Sequence, residues 1–257
     1  MAVSHRSNKM ETNNYILLTG STSGIGEDIA LRLSHNYNLI LCGRDKDKLH
    51  SLIRRCPNNN HKIWKYDLKS LDSLQESLEN FMSQNNILVE GFIHCAGYLK
   101  MLPLKSISFE NITETISVNL VSAILIIKTL IKRKINNNQL TNIIFISSNV
   151  SVRGARAFSI YSASKGALNS FMRSLSVELA PTVRVNAILP GGIRTQMTES
   201  IFSNTELLQQ MNKKYPLGMG KPSDISNLIS FLLSDQSRWI TGQEFIIDGG
   251  RSIDITG

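Results

Sequence analysis

Short apolar runs alternate with helical segments along the whole chain, and this alternation restricts the possible folds more than any other feature of the sequence. Seven runs indicate strands: Tyr15–Thr19, Asn38–Cys42, His61–Tyr66, Val89–His94, Thr141–Ser147, Arg184–Leu189 and Glu244–Ile247. Apolar residues at helical spacing indicate six helices: Ile25–His35, Lys46–Arg55, Leu71–Gln84, Phe109–Lys134, Ser159–Leu179 and Ile225–Ser234. The central runs are apolar without alternation, as strands buried on both faces are. The sequence therefore predicts an α/β fold, a doubly wound parallel sheet of about seven strands flanked by helices.

The length and composition suit one domain. The chain has 257 residues, of which 42% are hydrophobic and 19% are charged, near the upper size for a single core. No internal repeat stands out, and the Asn-rich segments 58–60 and 136–138 indicate loops rather than linkers. We expect a flexible polar leader over residues 1–13 and a single domain over residues 14–257.

The net charge of +8 raises the question of an anionic macromolecular partner. The basic residues are spread along the chain apart from Lys132–Lys134, which we place at the end of an apolar helix, where cations complement the helix dipole. This placement favours a chain with no nucleic-acid partner. No apolar run is expected to span a bilayer, so we also predict no membrane association.

The three cysteines, Cys42, Cys56 and Cys95, have neither the spacing of metal ligands nor the even number of a disulfide framework. We therefore expect free thiols and no metal site. The N-terminus lacks an apolar signal core before Tyr15. A reducing, cytoplasmic location is the natural setting for such a chain.

A glycine-rich loop follows the first predicted strand and opens the first helix. It comprises Gly20, Ser21, Thr22, Ser23, Gly24, Ile25 and Gly26. Glycine permits a tight turn and lets a pyrophosphate approach the backbone N–H groups at a helix N-terminus. The Gly-x3-Gly-x-Gly spacing differs from the common dinucleotide fingerprint, so a purely structural turn is the alternative. The position after the first strand favours a dinucleotide site in a Rossmann-like sheet.

The end of the second predicted strand bears on the type of cofactor. NAD sites often carry an acid there for the ribose 2′-hydroxyl, whereas an arginine accommodates a 2′-phosphate. Here Gly43 takes the place of the acid and Arg44 follows it. In the alternative interpretation Asp45 caps the next helix and Arg44 is a loop cation without a ligand. A cap at Asp45 leaves the Arg44 guanidinium for a phosphate, so the sequence favours NADP(H) over NAD(H).

Tyr161 and Lys165 lie four residues apart on a predicted helix, which places both side chains on one face. A lysine charge beside a phenol favours the phenolate, so the pair could exchange a proton with a substrate oxygen. The same spacing also occurs on many solvated helix faces. The pair alone therefore indicates a catalytic site only weakly.

Taken together, the motifs occur in the order and spacing of the short-chain dehydrogenases/reductases, which the chain resembles over residues 14–250. The matching positions are Thr19–Gly26, Cys95–Gly97, Asn119, Ser148, Tyr161, Lys165, Pro190, Gly191, Trp239–Gln243 and Asp248–Gly250. Within that family, the 3-oxoacyl-(acyl-carrier-protein) reductases are the nearest common subgroup.

The resemblance implies catalytic roles for four residues. Tyr161 corresponds to the general acid/base, and Ser148 to the hydroxyl that holds the substrate oxygen. Lys165 is expected to lower the pKa of the tyrosine and to bond the nicotinamide ribose. Asn119 corresponds to the asparagine that anchors a water in the proton relay.

The resemblance also implies the cofactor contacts. Asp67 corresponds to the residue that bonds the adenine amino group, and Ile193 and Thr195 to the contacts of the carboxamide. The remaining predicted cofactor-binding residues are Gly20, Ser21, Thr22, Ser23, Gly24, Ile25, Gly26, Arg44, Leu68, Ala96, Gly97, Tyr161, Lys165, Pro190 and Gly191.

One position departs from the family pattern. Cys95 stands where the family carries an asparagine that tethers neighbouring strands, and a thiol makes only weak hydrogen bonds. We therefore expect a weaker tether between the neighbouring strands, while the catalytic residues are all present. The neighbouring His94 is a catalytic candidate, although a histidine at the end of a buried strand more often has a structural role.

The resemblance implies an NADP(H)-dependent oxidoreductase that interconverts a carbonyl and a secondary alcohol. Reduction of a 3-oxoacyl thioester, free or carrier-bound, is the leading expectation, and a sugar, steroid or other secondary-alcohol dehydrogenase is the alternative. A cofactor-binding sensor or scaffold is the alternative that is not an enzyme. Apolar residues with Arg153 and Arg156 would equally suit an acyl, ring or anionic substrate. The family also implies a homodimer or homotetramer through Phe109–Lys134 and Ser159–Leu179.

Overall fold

The computed structural model describes residues 13–195 and 212–253, and their strands form one parallel sheet in the order β3-β2-β1-β4-β5-β6-β7. The strands are β1 (Asn14–Thr19), β2 (Asn38–Gly43), β3 (Lys62–Lys65), β4 (Leu88–His94), β5 (Asn142–Ile146), β6 (Arg184–Pro190) and β7 (Glu244–Ile247). All six neighbouring pairs are parallel. The predicted doubly wound α/β fold is confirmed, while most of the predicted leader lies outside the described residues.

Helices cover both faces of this sheet. They are α1 (Gly24–Leu33), α2 (Lys46–Arg55), α3 (Leu74–Asn85), α4 (Phe109–Ile116), α5 (Ser122–Leu130), α6 (Arg133–Asn136), α7 (Ser159–Glu178) and α8 (Pro222–Leu233). Apolar residues form one buried cluster on each face, and Leu17 of β1 belongs to one while its neighbours Ile16 and Leu18 belong to the other. The continuous apolar run of β1 follows from this burial on both sides.

The predicted single helix Phe109–Lys134 is interrupted. A π-helical turn over Ser117–Val121 separates α4 from α5, and α5 ends at Leu130. Lys132 is extended and precedes the short helix α6, so the basic cluster begins a helix instead of ending one. The Lys132 ammonium lies 2.6 Å from the Glu79 carboxylate of α3. Smaller shifts affect β3 and α3, which begin one and three residues later than predicted.

The stretch Phe109–Leu130 has a mean hydropathy of 1.4 in its most apolar window and is long enough to cross a membrane. We expected no apolar stretch long enough to cross a membrane, and by length and composition this expectation is wrong. However, α5 packs on the sheet, with Ala123, Ile126 and Leu130 fully buried in one of the two apolar clusters. Such burial is typical of a core helix.

His94 holds the carboxyl ends of β1 and β4 together. Its ring is fully buried, with Nδ1 3.0 Å from the Thr19 hydroxyl, which accepts a hydrogen bond from the Ala96 N–H at 3.3 Å. A hydroxyl can accept two hydrogen bonds and donate one, so Thr19 joins the His94 ring to the Ala96 N–H in either tautomer of the ring. The backbone carbonyls of Val118 and Asn119 in the π-helical turn raise the pKa of the ring. Neither of them forms a hydrogen bond with Nε2. His94 thus supports the strand ends where Cys95 replaces the family asparagine.

Burial decides the charge state of this histidine. It lowers the pKa of His94 to about 3, and the charge of Lys165 acts in the same direction. The Val118 and Asn119 carbonyls raise the pKa but do not offset burial. The ring is therefore neutral at physiological pH, as a structural role requires.

We predict that the substitution His94→Asn makes the protein less sensitive to acid. The unfolded chain binds a proton at His94 below a pKa of about 6.5, whereas the folded chain resists this proton down to a pKa of about 3. Folding stability is therefore retained above pH 6.5 and falls as the pH drops, by up to about 1.4 kcal/mol per pH unit. Denaturant unfolding between pH 7 and pH 4 should show a shallower loss for the variant, from a lower starting stability.

The matched control is His50→Asn, which replaces an exposed histidine of α2 and should keep the slope of the wild-type protein. Buried His61, with a pKa lowered to about 4, contributes to the slope in every variant. Identical slopes for the wild-type and His94→Asn proteins would contradict the assignment.

Candidate active site

The carboxyl ends of the strands open into a cavity of about 470 Å³. It lies where the strand order reverses between β1 and β4, the usual place for a ligand in an open parallel sheet. The cavity brings together most of the predicted residues: Gly20, Thr22, Ser23, Gly24, Ile25, Gly26, Arg44, Asp67, Leu68, Ala96, Gly97, Ser148, Tyr161, Lys165, Pro190, Gly191, Ile193 and Thr195. Ser21 and Asn119 do not line it.

Ser21 is fully buried beneath the glycine loop. Its hydroxyl donates to the Cys42 carbonyl at 3.1 Å, and its backbone N–H donates to the same oxygen at 3.2 Å. The side chain therefore ties the loop to β2. This position does not support the prediction that Ser21 contacts the cofactor. Ser21 instead holds the glycine loop in place.

Asn119 lies fully buried in the π-helical turn, and its amide bridges two elements of the site. Oδ1 accepts from the Tyr98 N–H at 2.7 Å, while Nδ2 donates to the Tyr98 carbonyl at 3.1 Å and to Ser164 Oγ at 2.9 Å. Ser164 in turn donates to the Tyr161 carbonyl at 2.7 Å. The side chain thus joins the loop after Ala96 to helix α7. Its predicted role in holding a water stays a prediction.

The N-terminus of α1 forms the wall of the cavity that best fits an anion. The N-cap Ser23 makes no side-chain capping bond, so the backbone N–H groups of the first turn keep their positive pole at the cavity. A β-carbon on Gly26 would collide with the Gly20 carbonyl, so this turn requires glycine. At Gly24 a β-carbon would lie 2.7 Å from the Thr195 methyl, which brings the loop after β6 against the same turn. These features fit the pyrophosphate of a dinucleotide.

The cavity extends from α1 to the end of β2. A β-carbon on Gly43 would lie 3.0 Å from the Thr22 methyl. The end of β2 therefore has little room for the acidic side chain that many NAD sites carry there. Asp45 accepts from the backbone N–H groups of Asp47 and Lys48, both at 3.0 Å, which confirms its prediction as the cap of α2. Arg44 is exposed at the cavity edge, and no carboxylate of the described residues pairs with it.

Asp67 and Leu68 follow β3 and line the same end of the cavity. The Asp67 carboxylate accepts from the Lys69 N–H at 3.1 Å, and Lys69 pairs with Glu114 of α4. The Lys69 ammonium also lies 4.9 Å from the centre of the Tyr98 ring. This arrangement connects the residues after β3 to the loop after Ala96.

Ser148, Tyr161 and Lys165 meet at the opposite end of the cavity. Ser148 follows β5 in extended conformation, and its hydroxyl acts on the Tyr161 phenol by lowering its pKa. Lys165 lies one turn along α7, with its ammonium 5.8 Å from the centre of the Tyr161 ring. The same ammonium donates to the Ile146 carbonyl at 2.8 Å. The sequence spacing thus corresponds to a real cluster.

Burial has the largest effect on the electrostatics of this cluster. Burial raises the pKa of Tyr161 to about 12, and the Ser148 hydroxyl offsets part of this rise. Burial also lowers the pKa of Lys165 to about 8, against an upward effect of Cys95. The Lys165 ammonium donates to the Ile146 carbonyl, and its predicted effect on the pKa of the tyrosine stays a prediction. The phenol is therefore protonated at neutral pH.

Sequence reasoning missed Tyr215, which closes the cavity beside the turn after β6. Its phenol oxygen accepts from the Gly192 N–H at 2.9 Å. A β-carbon on Gly191 would lie 3.1 Å from the Tyr215 ring, and one on Gly192 would lie 2.8 Å from its oxygen. Only the folded chain brings these residues together, so no motif in the sequence marks the tyrosine.

Known proteins resemble this chain along most of its length. A family model described as enoyl-(acyl carrier protein) reductase matches residues 20–252. The chain is 30% identical to the glucose 1-dehydrogenase of Gluconobacter oxydans (strain 621H), over 93% of this chain and 91% of the relative. It is 32% identical to the 3-oxoacyl-[acyl-carrier-protein] reductase of Rickettsia felis, over 93% of this chain and 97% of the relative.

Among solved structures, a 4-hydroxyisoleucine dehydrogenase mutant complexed with NADH and succinate matches with a TM-score of 0.85. It is 28% identical and covers 93% of this chain and 99% of that one. The matched family model spans most of the chain, and the curated relatives match along nearly their full length. The chain therefore belongs to the short-chain dehydrogenase/reductase family, oxidoreductases that use a nicotinamide cofactor on carbonyl and alcohol groups.

Proposed function

We propose that this protein is an NADP(H)-dependent oxidoreductase in which Tyr161 donates a proton to the oxygen of a carbonyl substrate, giving a secondary alcohol. The carrying observation is that Ser148 and Tyr161 line the same cavity as Lys165, with the serine hydroxyl close enough to lower the pKa of the phenol. Two hydroxyl donors this close can both reach one substrate oxygen. A carbonyl under reduction needs such donors, because negative charge develops on its oxygen.

The charge states of the residues favour proton donation. Burial keeps the Tyr161 phenol protonated at neutral pH, and Ser148 offers a second hydrogen bond. A nicotinamide cofactor bound along the glycine loop would supply the hydride. In the reverse direction Tyr161 must first lose its proton, which its raised pKa opposes. Near neutral pH the phenol therefore carries the proton that a carbonyl under reduction needs.

Lys165 and Asn119 complete the proposal. Lys165, with a pKa lowered to about 8, retains most of its charge at neutral pH and lies one turn from the phenol. We assign it to bonding the nicotinamide ribose, as the family resemblance implies. Asn119 holds the loop after Ala96 to α7, and we retain its assignment to the proton relay.

Arg44 supports NADP(H) as the cofactor. It lines the cavity at the end of β2, where Gly43 replaces the acid that would bond a ribose 2′-hydroxyl. The guanidinium matches a phosphate in charge and geometry. The matched 4-hydroxyisoleucine dehydrogenase is complexed with NADH, so the choice for this chain rests on its own residues.

The substrate class stays a proposal with alternatives. Reduction of a 3-oxoacyl thioester is favoured by the relative from Rickettsia felis. A sugar or other secondary alcohol is supported by the glucose 1-dehydrogenase and by the tropinone reductase homologues of Arabidopsis thaliana. The meeting of Ser148, Tyr161 and Lys165 in one cavity disfavours a sensor or scaffold without turnover.

We further propose a single domain that acts in the cytoplasm as a homodimer or homotetramer. The three cysteines are free, which suits a reducing compartment. Exposed apolar side chains such as Phe109 and Val177 lie on α4 and α7, the helices assigned to the interface. A stable monomer in analytical ultracentrifugation would contradict the assembly.

We predict that Tyr161→Phe lowers the rate of carbonyl reduction roughly 10²- to 10⁴-fold, the usual contribution of a positioned acid. NADPH affinity should be retained, because the substitution removes only the phenol oxygen. NADPH oxidation with 3-oxoacyl thioesters, ring ketones and keto sugars measures the first effect, and titration calorimetry measures the second. Tyr37→Phe, a partly buried tyrosine before β2, is the control and should keep both values. Unchanged turnover in Tyr161→Phe would overturn the mechanism.

We predict that Arg44→Ala lowers the preference for NADPH over NADH. Loss of a charge-assisted contact with the 2′-phosphate should reduce the ratio of the two kcat/KM values roughly 10- to 100-fold. Lys46→Ala removes an exposed cation two residues away and should leave the ratio unchanged. An equal ratio in Arg44→Ala and the wild-type protein would defeat the phosphate assignment.

A further inference from the structure

Asn169 lies on the same face of helix α7 as the catalytic pair, behind the cavity. Tyr161, Lys165 and Asn169 follow one another at intervals of four residues, so their side chains form one row along the helix. The first two line the cavity, whereas Asn169 is 2% exposed and does not line it. The amide of Asn169 is therefore enclosed by protein groups next to the catalytic pair.

Both hydrogens of the Asn169 amide are used. Nδ2 donates to the Ser151 hydroxyl at 2.9 Å and to the Glu244 carboxylate at 3.0 Å. Glu244 begins β7 and forms an ion pair with Arg173 of α7. An ionised carboxylate only accepts hydrogen bonds, so the amide atom that faces Glu244 is the nitrogen. Asn169 thus joins the start of β7 to the segment that follows Ser148.

Ser151 connects this amide to the backbone of the catalytic serine. Its hydroxyl donates to the Ser148 carbonyl at 2.6 Å, and its backbone N–H donates to the same oxygen at 3.0 Å. These bonds close the 3₁₀ turn Asn149–Ser151, which Ser148 caps by accepting from the Val150 N–H at 3.4 Å. The position of the Ser148 hydroxyl therefore depends on this turn.

The oxygen of the Asn169 amide takes no part in this arrangement. Oδ1 is buried and has no hydrogen-bond partner among the described residues. A buried carbonyl oxygen without a partner opposes folding, whereas an apolar side chain of similar size does not. The two donors of the amide, and not its oxygen, are therefore the reason for an asparagine at this position.

We propose that Asn169 is a positioning residue, which acts through Ser151 to hold the Ser148 hydroxyl in place for catalysis. Because Asn169 and Tyr161 belong to one helix, the contact with Ser151 fixes the serine turn relative to the phenol. The contact with Glu244 fixes the rotation of the amide and leaves its second hydrogen for Ser151. A displacement of about 1 Å in such a site can cost roughly 10²-fold in rate. This inference rests on the proposed function, since it names a further residue of the same reaction.

The test compares two variants of the full chain that each replace one buried asparagine by leucine. Asn169→Leu should lower kcat roughly 10- to 100-fold for the carbonyl that the wild-type chain reduces fastest, with the Kd for NADPH unchanged. The matched control is Asn142→Leu, because Asn142 is also buried, donates to the Leu232 carbonyl at 2.7 Å, and has an Oδ1 without a partner among the described residues. Asn142 lies at the opposite end of β5 from Ser148, so its replacement should keep kcat. Equal kcat in Asn169→Leu and the wild-type protein would overturn the inference.

A double-mutant cycle tests whether Asn169 acts through Ser151. Ser151→Ala removes the hydroxyl that accepts from Asn169 and keeps the backbone bond of the turn, so it should also lower kcat. Adding Asn169→Leu to this variant should lower kcat by less than about threefold more, because the contact is already lost. A further loss as large as that of Asn169→Leu alone would contradict the inference. Thermal unfolding of each variant checks folding, and Ser151→Ala serves if Asn169→Leu is unstable.

Hydrogen exchange of the backbone needs no turnover, so this inference and the proposed function can fail separately. The N–H groups of Val150 and Ser151 should exchange roughly tenfold faster in Asn169→Leu than in Asn142→Leu, because the turn opens more often. Equal exchange in the two variants would count against the positioning residue, even in an active enzyme. A wild-type chain that reduces no carbonyl, while its variants show this difference in exchange, would count against the proposed function alone.

Discussion

At the carboxyl ends of β1 and β4, the backbone of Gly20 lies so close to Ala96 that a β-carbon on Gly20 would be 2.7 Å from the Ala96 Cα. His94 and Thr19 hold the same two strand ends by hydrogen bonds. The rest of the site depends on this contact. It lets the loops of the two strands leave in opposite directions and leaves a cavity between them.

Burial has the largest effect on the chemistry inside that cavity. It raises the pKa of Tyr161 and lowers that of Lys165, so both side chains favour their neutral forms more than they would in water. The Ser148 hydroxyl offsets only part of the effect on the phenol. A protonated phenol next to a second hydroxyl suits the reduction of a carbonyl.

Much of the fold could be predicted because it depends on local patterns. Continuous apolar runs located the strands, and the composition of the loop after β1 indicated the nucleotide end. Asp45 was predicted as a cap because capping depends on a few neighbouring residues. The predicted cluster of Ser148, Tyr161 and Lys165 came from a family resemblance rather than from physical reasoning about spacing alone.

The features that could not be predicted arise from contacts between distant segments. The π-helical turn at Ser117–Val121 holds Asn119, which bonds both Tyr98 and Ser164, and helical periodicity carries no sign of it. Tyr215 enters the cavity through its contact with Gly192. The pKa of Tyr161 depends on burial, which spacing on a helix does not reveal.

The central claim is that a hydride and a proton reach the two ends of a substrate carbonyl in this cavity. The most direct measurement uses NADPH deuterated at the transferring position of the nicotinamide, incubated with keto acids, 3-oxoacyl thioesters, ring ketones and keto sugars. Mass spectrometry of the alcohol products should find the deuterium on the carbinol carbon for the wild-type chain, and this transfer should be strongly slowed in Tyr161→Phe. A chain that binds NADPH yet transfers deuterium to none of these compounds would contradict the account.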